Sequence, residues 1–137
     1  MASILKVDAL QGITAAGDIT VTSEGGAATQ SLQQGLAKVW IRFNGTGTIS
    51  INDSFNVSGI VDGGTGVYDV TINNDMANDD YAYYGFSSRD ASTAQVGMFG
   101  STSATDVTTG KFRVIELAGT TFFDVGVVMC AAHGDLA

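Results

Sequence analysis

The sequence predicts an all-β protein: a jelly-roll-like β-sandwich of about seven or eight antiparallel strands, preceded by an N-terminal arm. Three observations lead there. Glycine reaches 18 residues with no proline, and charged residues make up only 15% against 45% hydrophobic. Thr, Ser and Asn therefore carry much of the polarity, in a composition that suits strands and tight turns and is too apolar for disorder. Second, runs of alternating apolar and polar residues recur along the chain. Third, these runs are separated by Asn-Gly and glycine-rich clusters, the signature of hairpin turns.

Residues 1–36 read as the arm. Ser3 to Asp8 is expected as a short strand with Ile4, Leu5 and Val7 as its apolar members, followed by Leu10. Gln11 to Asp18 is a loop. Asp18 to Thr22 alternates, with Ile19 and Val21 on one face, and Glu24-Gly25-Gly26 breaks the pattern. Ala27 to Leu36 suits a short helix in which Leu32 and Leu36, four apart, share a face. A helix so short needs neighbours to persist. This third is apolar enough to dock and too sparse to build a core. Ile4, Leu5, Val7, Leu10, Leu32 and Leu36 are accordingly expected to anchor and assemble the chain.

Residues 37–137 read as the sandwich. Ala37 to Phe43 places Val39, Ile41 and Phe43 on one face and Lys38, Trp40 and Arg42 on the other. Asn44-Gly45 turns the chain into Thr48 to Ile51. Ser54 to Val61 and Val67 to Asn73 flank Asp62-Gly63-Gly64-Thr65-Gly66, which lacks the Gly-Lys-Ser/Thr ending of a phosphate loop and reads as a hairpin turn. Tyr68, Val70 and Ile72 form one face of the second of these strands. Asn74 to Asp80 is a polar loop. Tyr81 to Ser87 is an aromatic strand, with Tyr81 and Tyr83 on one face and Tyr84 and Phe86 on the other. Arg89 to Gly110 is a long surface loop holding a short strand at Gln95 to Phe99. Lys111 to Leu117 and Thr121 to Cys130 form the last pair. Val128 and Cys130 make both faces of the final strand apolar, so it is expected to be central and covered on both sides.

The formal net charge of −8 rests on 14 acidic and 6 basic residues. Six cations are too few for a phosphate-driven nucleic-acid interface, and an anionic membrane surface would repel the chain. No apolar run reaches membrane-spanning length, and the start of the chain has no basic-then-apolar leader, so assembly in the cytoplasm is expected. Cys130 is the only cysteine and His133 the only histidine. A thiol within an apolar strand is a poor nucleophile, and two soft ligands do not make a zinc site. The Asn73 to Asp80 loop is rich in oxygen ligands but lacks the spacing of a calcium loop, so its side chains are expected to cap backbone groups. No pair of carboxylates stands out for glycan hydrolysis. The residues thus name no catalytic group, metal or cofactor. The aromatics Trp40, Tyr81, Tyr83 and Tyr84 suit a subunit or receptor interface, where Tyr and Trp are enriched. Beside Asn and Asp they also suit a sugar-binding face.

The stretch from Leu36 to Ile72 carries one further signal: short strands separated by Asn-Gly-Thr-Gly and Asp-Gly-Gly-Thr-Gly turns, with Asp53-Ser54-Phe55-Asn56-Val57 opening a strand. It resembles the β-rich terminal module of tail-fibre and virion-surface proteins of tailed phages, particularly those of marine and cyanobacterial hosts. SILKVDALQG at the start is similar to the opening of such proteins. The resemblance implies a non-enzymatic, homotrimeric virion protein on the particle surface, mounted by its N-terminal arm on major capsid or tail proteins. Such proteins carry a shaft before the terminal module, and none precedes it here, which turns the expectation toward a short fibre, knob or capsid decoration. A receptor- or glycan-binding module meeting a host surface glycan is the alternative.

Overall fold

The fold, a computed structural model, describes residues 4–15, 18–88 and 103–137. The expected strand at Gln95 to Phe99 lies outside them. The chain divides into two compact units, Met1–Leu36 and Ala37–Ala137.

The first unit holds β1 (Thr20–Thr22) paired antiparallel with β2 (Thr29–Ser31), and one turn of helix, α1 (Leu32–Gly35). Ser31 caps that turn by accepting the Gln34 amide. Residues 4–8, expected as a strand, have no strand partner among the described residues, and the helix expected from Ala27 shrinks to four residues because β2 takes up Thr29–Ser31. No described residue of this unit is buried.

The second unit is an antiparallel sandwich. One sheet has the strand order β4-β3-β11-β7, formed by β3 (Val39–Asn44), β4 (Ser50–Phe55), β7 (Ala82–Ser88) and β11 (Val127–His133). The other has the order β5-β6-β8, formed by β5 (Val57–Asp62), β6 (Val67–Ile72) and β8 (Lys111–Ile115). A two-stranded ribbon, β9 (Leu117–Ala118) with β10 (Thr121–Phe122), completes the described strands. The inner faces supply the core: Val39, Ile41, Phe43, Val128, Cys130 and Ala132 from the first sheet, and Tyr68, Val70, Ile72, Phe112 and Val114 from the second. Two ring pairs link the sheets, Phe43 on Tyr68 at 5.2 Å edge-on and Tyr83 on Phe112 at 5.1 Å. Strict alternation made these inward faces readable, because successive strand side chains point to opposite sides.

Three expectations change in detail. The strand from Ser54 to Val61 is broken at Asn56, which has φ 57° and carries the chain from one sheet to the other. Asn tolerates that left-handed conformation better than other non-glycine residues. Its side chain also secures the corner, donating to Lys38 O and Asn74 O and accepting the Asn74 amide at 2.7 Å. Lys38, expected outside, is buried beside this corner, with its amide held by Ala132 O. The last strand starts only at Val127, and it pairs with β3 and β7, not with β8. It is central as expected, but its outer face is open, with Met129 exposed.

Candidate functional site

Two surfaces gather the residues singled out by sequence. In the first unit, Val7, Leu10, Ile19, Leu32 and Leu36, with Asp8, line a groove of about 450 Å³. Four of the six anchoring residues therefore converge. Ile4 and Leu5 lie apart from the groove and are 77% and 78% exposed. Ile13 and Val21 are exposed as well, so the unit presents apolar side chains throughout and encloses none.

In the second unit, the outer face of the four-stranded sheet is aromatic. Cross-strand register sets Phe55, Trp40, Ala131 and Tyr84 in one row, and Asp53, Arg42, Met129 and Phe86 in the next. Trp40 is 39% exposed and Phe86 67%, with Phe55, Tyr84 and Met129 between these values. His133 stacks on the Tyr84 ring with centroids 5.8 Å apart, and its Nε2 lies 3.1 Å from the tyrosine hydroxyl. Sequence reasoning found Trp40 and Tyr84 but missed Phe55 and Met129. Phe55 belongs to the face only because β4 lies in register with β3. The signal for Met129 was the alternation of β11, which was read as covered on both sides.

Tyr81 and Tyr83 do not belong to this surface. Tyr81 is 8% exposed and donates its hydroxyl to the carbonyls of Thr108 and Lys111. Tyr83 is half-buried against Phe112. Burial pushes both phenols above the ordinary tyrosine range. Both point inward by the same alternation that sends Tyr84 and Phe86 out, so the aromatic strand divides between core and surface.

Cys130 and His133 stand on opposite faces of β11, and burial raises the thiol well above its usual range. The pair has no shared chemistry. In the Asn73–Asp80 loop, Asn78 accepts the Asp80 amide as a turn cap, and Met76 is buried where the loop bridges to Leu136. No group of three or more His, Cys, Asp or Glu side chains converges to hold a metal among the described residues.

Glu116 is a buried carboxyl, 1% exposed. Ser87 Oγ donates to its Oε2 at 2.6 Å, while Oε1 has no hydrogen-bond partner among the described residues. Burial raises its pKa, and the Ser87 bond opposes that only in part. The outer face of the second sheet is polar in contrast. Arg113 grips Asp69 through Nε at 2.6 Å and Nη2 at 2.8 Å, Lys111 Nζ approaches it at 3.3 Å, and Arg113 Nη1 reaches the buried Asp106 at 2.8 Å. The Arg113 bonds hold the Asp69 carboxyl below the usual aspartate range. The geometry thus defines an antiparallel sandwich with one ion-paired face and one aromatic face. Compared with protein-family models, characterised proteins and solved structures, the chain finds no match.

Proposed function

We propose that this chain is a non-enzymatic structural protein of a tailed-phage virion: a short homotrimeric fibre, knob or capsid-decoration subunit. Residues 1–36 mount it on major capsid or tail proteins and on copies of itself, and the sandwich is displayed outward. The observation that carries the reading is the unfinished first unit. It exposes Ile4, Leu5, Val7, Leu10, Ile13 and Leu36 and buries no described residue. Large apolar side chains left in water in such number mark a surface that other chains cover. The second unit needs no such help, because its core lies wholly within residues 39–132. The resemblance of the Leu36 to Ile72 stretch supplies the virion context. No membrane or nucleic-acid partner is part of the reading.

Charging the groove tests it. In the full chain, Leu32→Asp combined with Leu36→Asp should weaken the three-chain association at least tenfold, with the sandwich's thermal transition unchanged. An unaltered oligomer would remove the groove from the assembly. Peptides of this chain in density-banded particles would test the virion placement directly.

The aromatic face favours a second reading, a host-glycan site. Rings such as Trp40 and Tyr84 stack on sugar C–H faces, and Arg42, Asp53 and His133 offer polar groups beside them. Loss of cell or glycan binding in Trp40→Ala, with the fold intact, would select it.

A further inference from the structure

The outer face of the four-stranded sheet has a composition of its own. Its large side chains are Trp40, Phe55, Tyr84, Phe86 and Met129, with Arg42 among them. Trp, Tyr, Phe, Met and Arg are the residue types enriched where proteins bury surface against one another. Sugar platforms need one or two rings ringed by hydrogen-bonding groups. Here five large apolar side chains adjoin, and the charged groups among them are Arg42 and Asp53.

Area and charge indicate what covers the face. An aromatic side chain buries about 150–250 Å², so the exposed fractions of these residues amount to roughly 400–500 Å² per chain. That is half or more of the about 800 Å² per partner of a stable interface, before any rim is counted. The chain carries a net charge of −8, yet this face sets one guanidinium beside one carboxylate in the row Asp53–Arg42–Met129–Phe86. A neutral face gives no preference for a basic partner. It is also where two strongly acidic copies can meet without like-charge repulsion, each Arg42 facing the other copy's Asp53.

We infer that the Trp40–Phe55–Tyr84–Phe86–Met129 face is a self-association surface, covered in the assembled state by the same face of another copy of this chain. The inference deepens the assembly reading above and rests on it for a second copy at hand, but it concerns a different surface from the arm. In a dimer the contact is reciprocal, and in a trimer each chain's face meets both neighbours about the three-fold axis.

The sequence supplies the probe, because Trp40 is its only tryptophan. The emission of the full-length protein, excited where tryptophan absorbs and tyrosine does not, and its quenching by acrylamide report this face alone. Both are followed beside native mass on dilution from tens of micromolar to nanomolar. The expected result is a blue-shifted, shielded Trp40 at high concentration that becomes red-shifted and several-fold more quenchable as the mass falls. Phe86→Glu, at a site too exposed to be needed for folding, should raise the dissociation constant at least tenfold. A Trp40 equally quenchable at every concentration overturns the inference. If the mass is then that of an oligomer, the arm reading survives alone. If it is that of a monomer, both fail, and the face serves another protein or a glycan. A dimer with shielded Trp40 keeps this surface and removes the trimer.

Discussion

Asn56 shows how much one side chain can decide. It sits at φ 57° between β4 and β5, and its amide makes three hydrogen bonds that tie the start of β3 to the end of β6. Asn56→Ala removes those bonds and leaves a Cβ residue in a left-handed conformation. The expected cost is about 1–3 kcal/mol, combining the loss of one part-buried and two exposed hydrogen bonds with backbone strain. Asn56→Gly relieves the strain but not the lost bonds, so it should fall between, and urea titration of the three proteins would order them. Glu116 acts in the opposite sense. Its folded-state pKa is raised, so its stabilising protonated form persists at low pH. The stability it contributes is lost as pH rises from the ordinary glutamate range through the raised value. Glu116→Gln should therefore be more stable than the parent at pH 8 by about 1–3 kcal/mol, the cost of an unsatisfied buried polar group. The gain should shrink toward pH 4. A melting temperature for Glu116→Gln below the parent's at pH 8 would show that the carboxylate is satisfied by a group other than Ser87.

Among elements, β6 and β8 are joined by more than their ladder. Asp69 faces Arg113 directly across the strands, with Lys111 beside it. The Asp69 side chain is only 13% exposed, so this is a partly desolvated, charge-assisted contact rather than a surface pair. Asp69→Asn should cost about 1–3 kcal/mol at neutral pH. Because the Asp69 pKa is lowered, that contribution is complete above the ordinary aspartate range and disappears as pH falls through the lowered value. The parent and Asp69→Asn stability curves should thus converge in acid, and parallel curves down to pH 2 would contradict the ion-pair account. Strand alternation was legible wherever one face is buried, as in β3, β6 and β7, because the period of two shows directly in the sequence. Element ends were less legible. The break at Asn56 looks in sequence like any polar strand residue, since φ is set by the turn between sheets. The pairing of β11 with β3 and β7 is a long-range choice that local pattern does not encode. The division of the aromatics followed from alternation, yet which side faced the core depended on the second sheet.

For the whole molecule, the boundary at Leu36 separates a unit with a core from one without. That contrast was visible in sequence as sparse apolar residues before Leu36 and dense alternation after it. The convergence of Val7 and Leu10 with Leu32 and Leu36 was not, because it depends on how the β1–β2 hairpin folds back. Both surfaces described here, the groove and the aromatic face, leave apolar area in water on a chain whose charge otherwise keeps copies apart. We propose that assembly resolves that tension. The most direct test is the native mass of the full chain, by sedimentation equilibrium, beside a version lacking residues 1–36. The account predicts three chains for the full-length protein, and for the shortened one a folded sandwich whose association is weakened at least tenfold. A full-length chain that stays monomeric at tens of micromolar would contradict it.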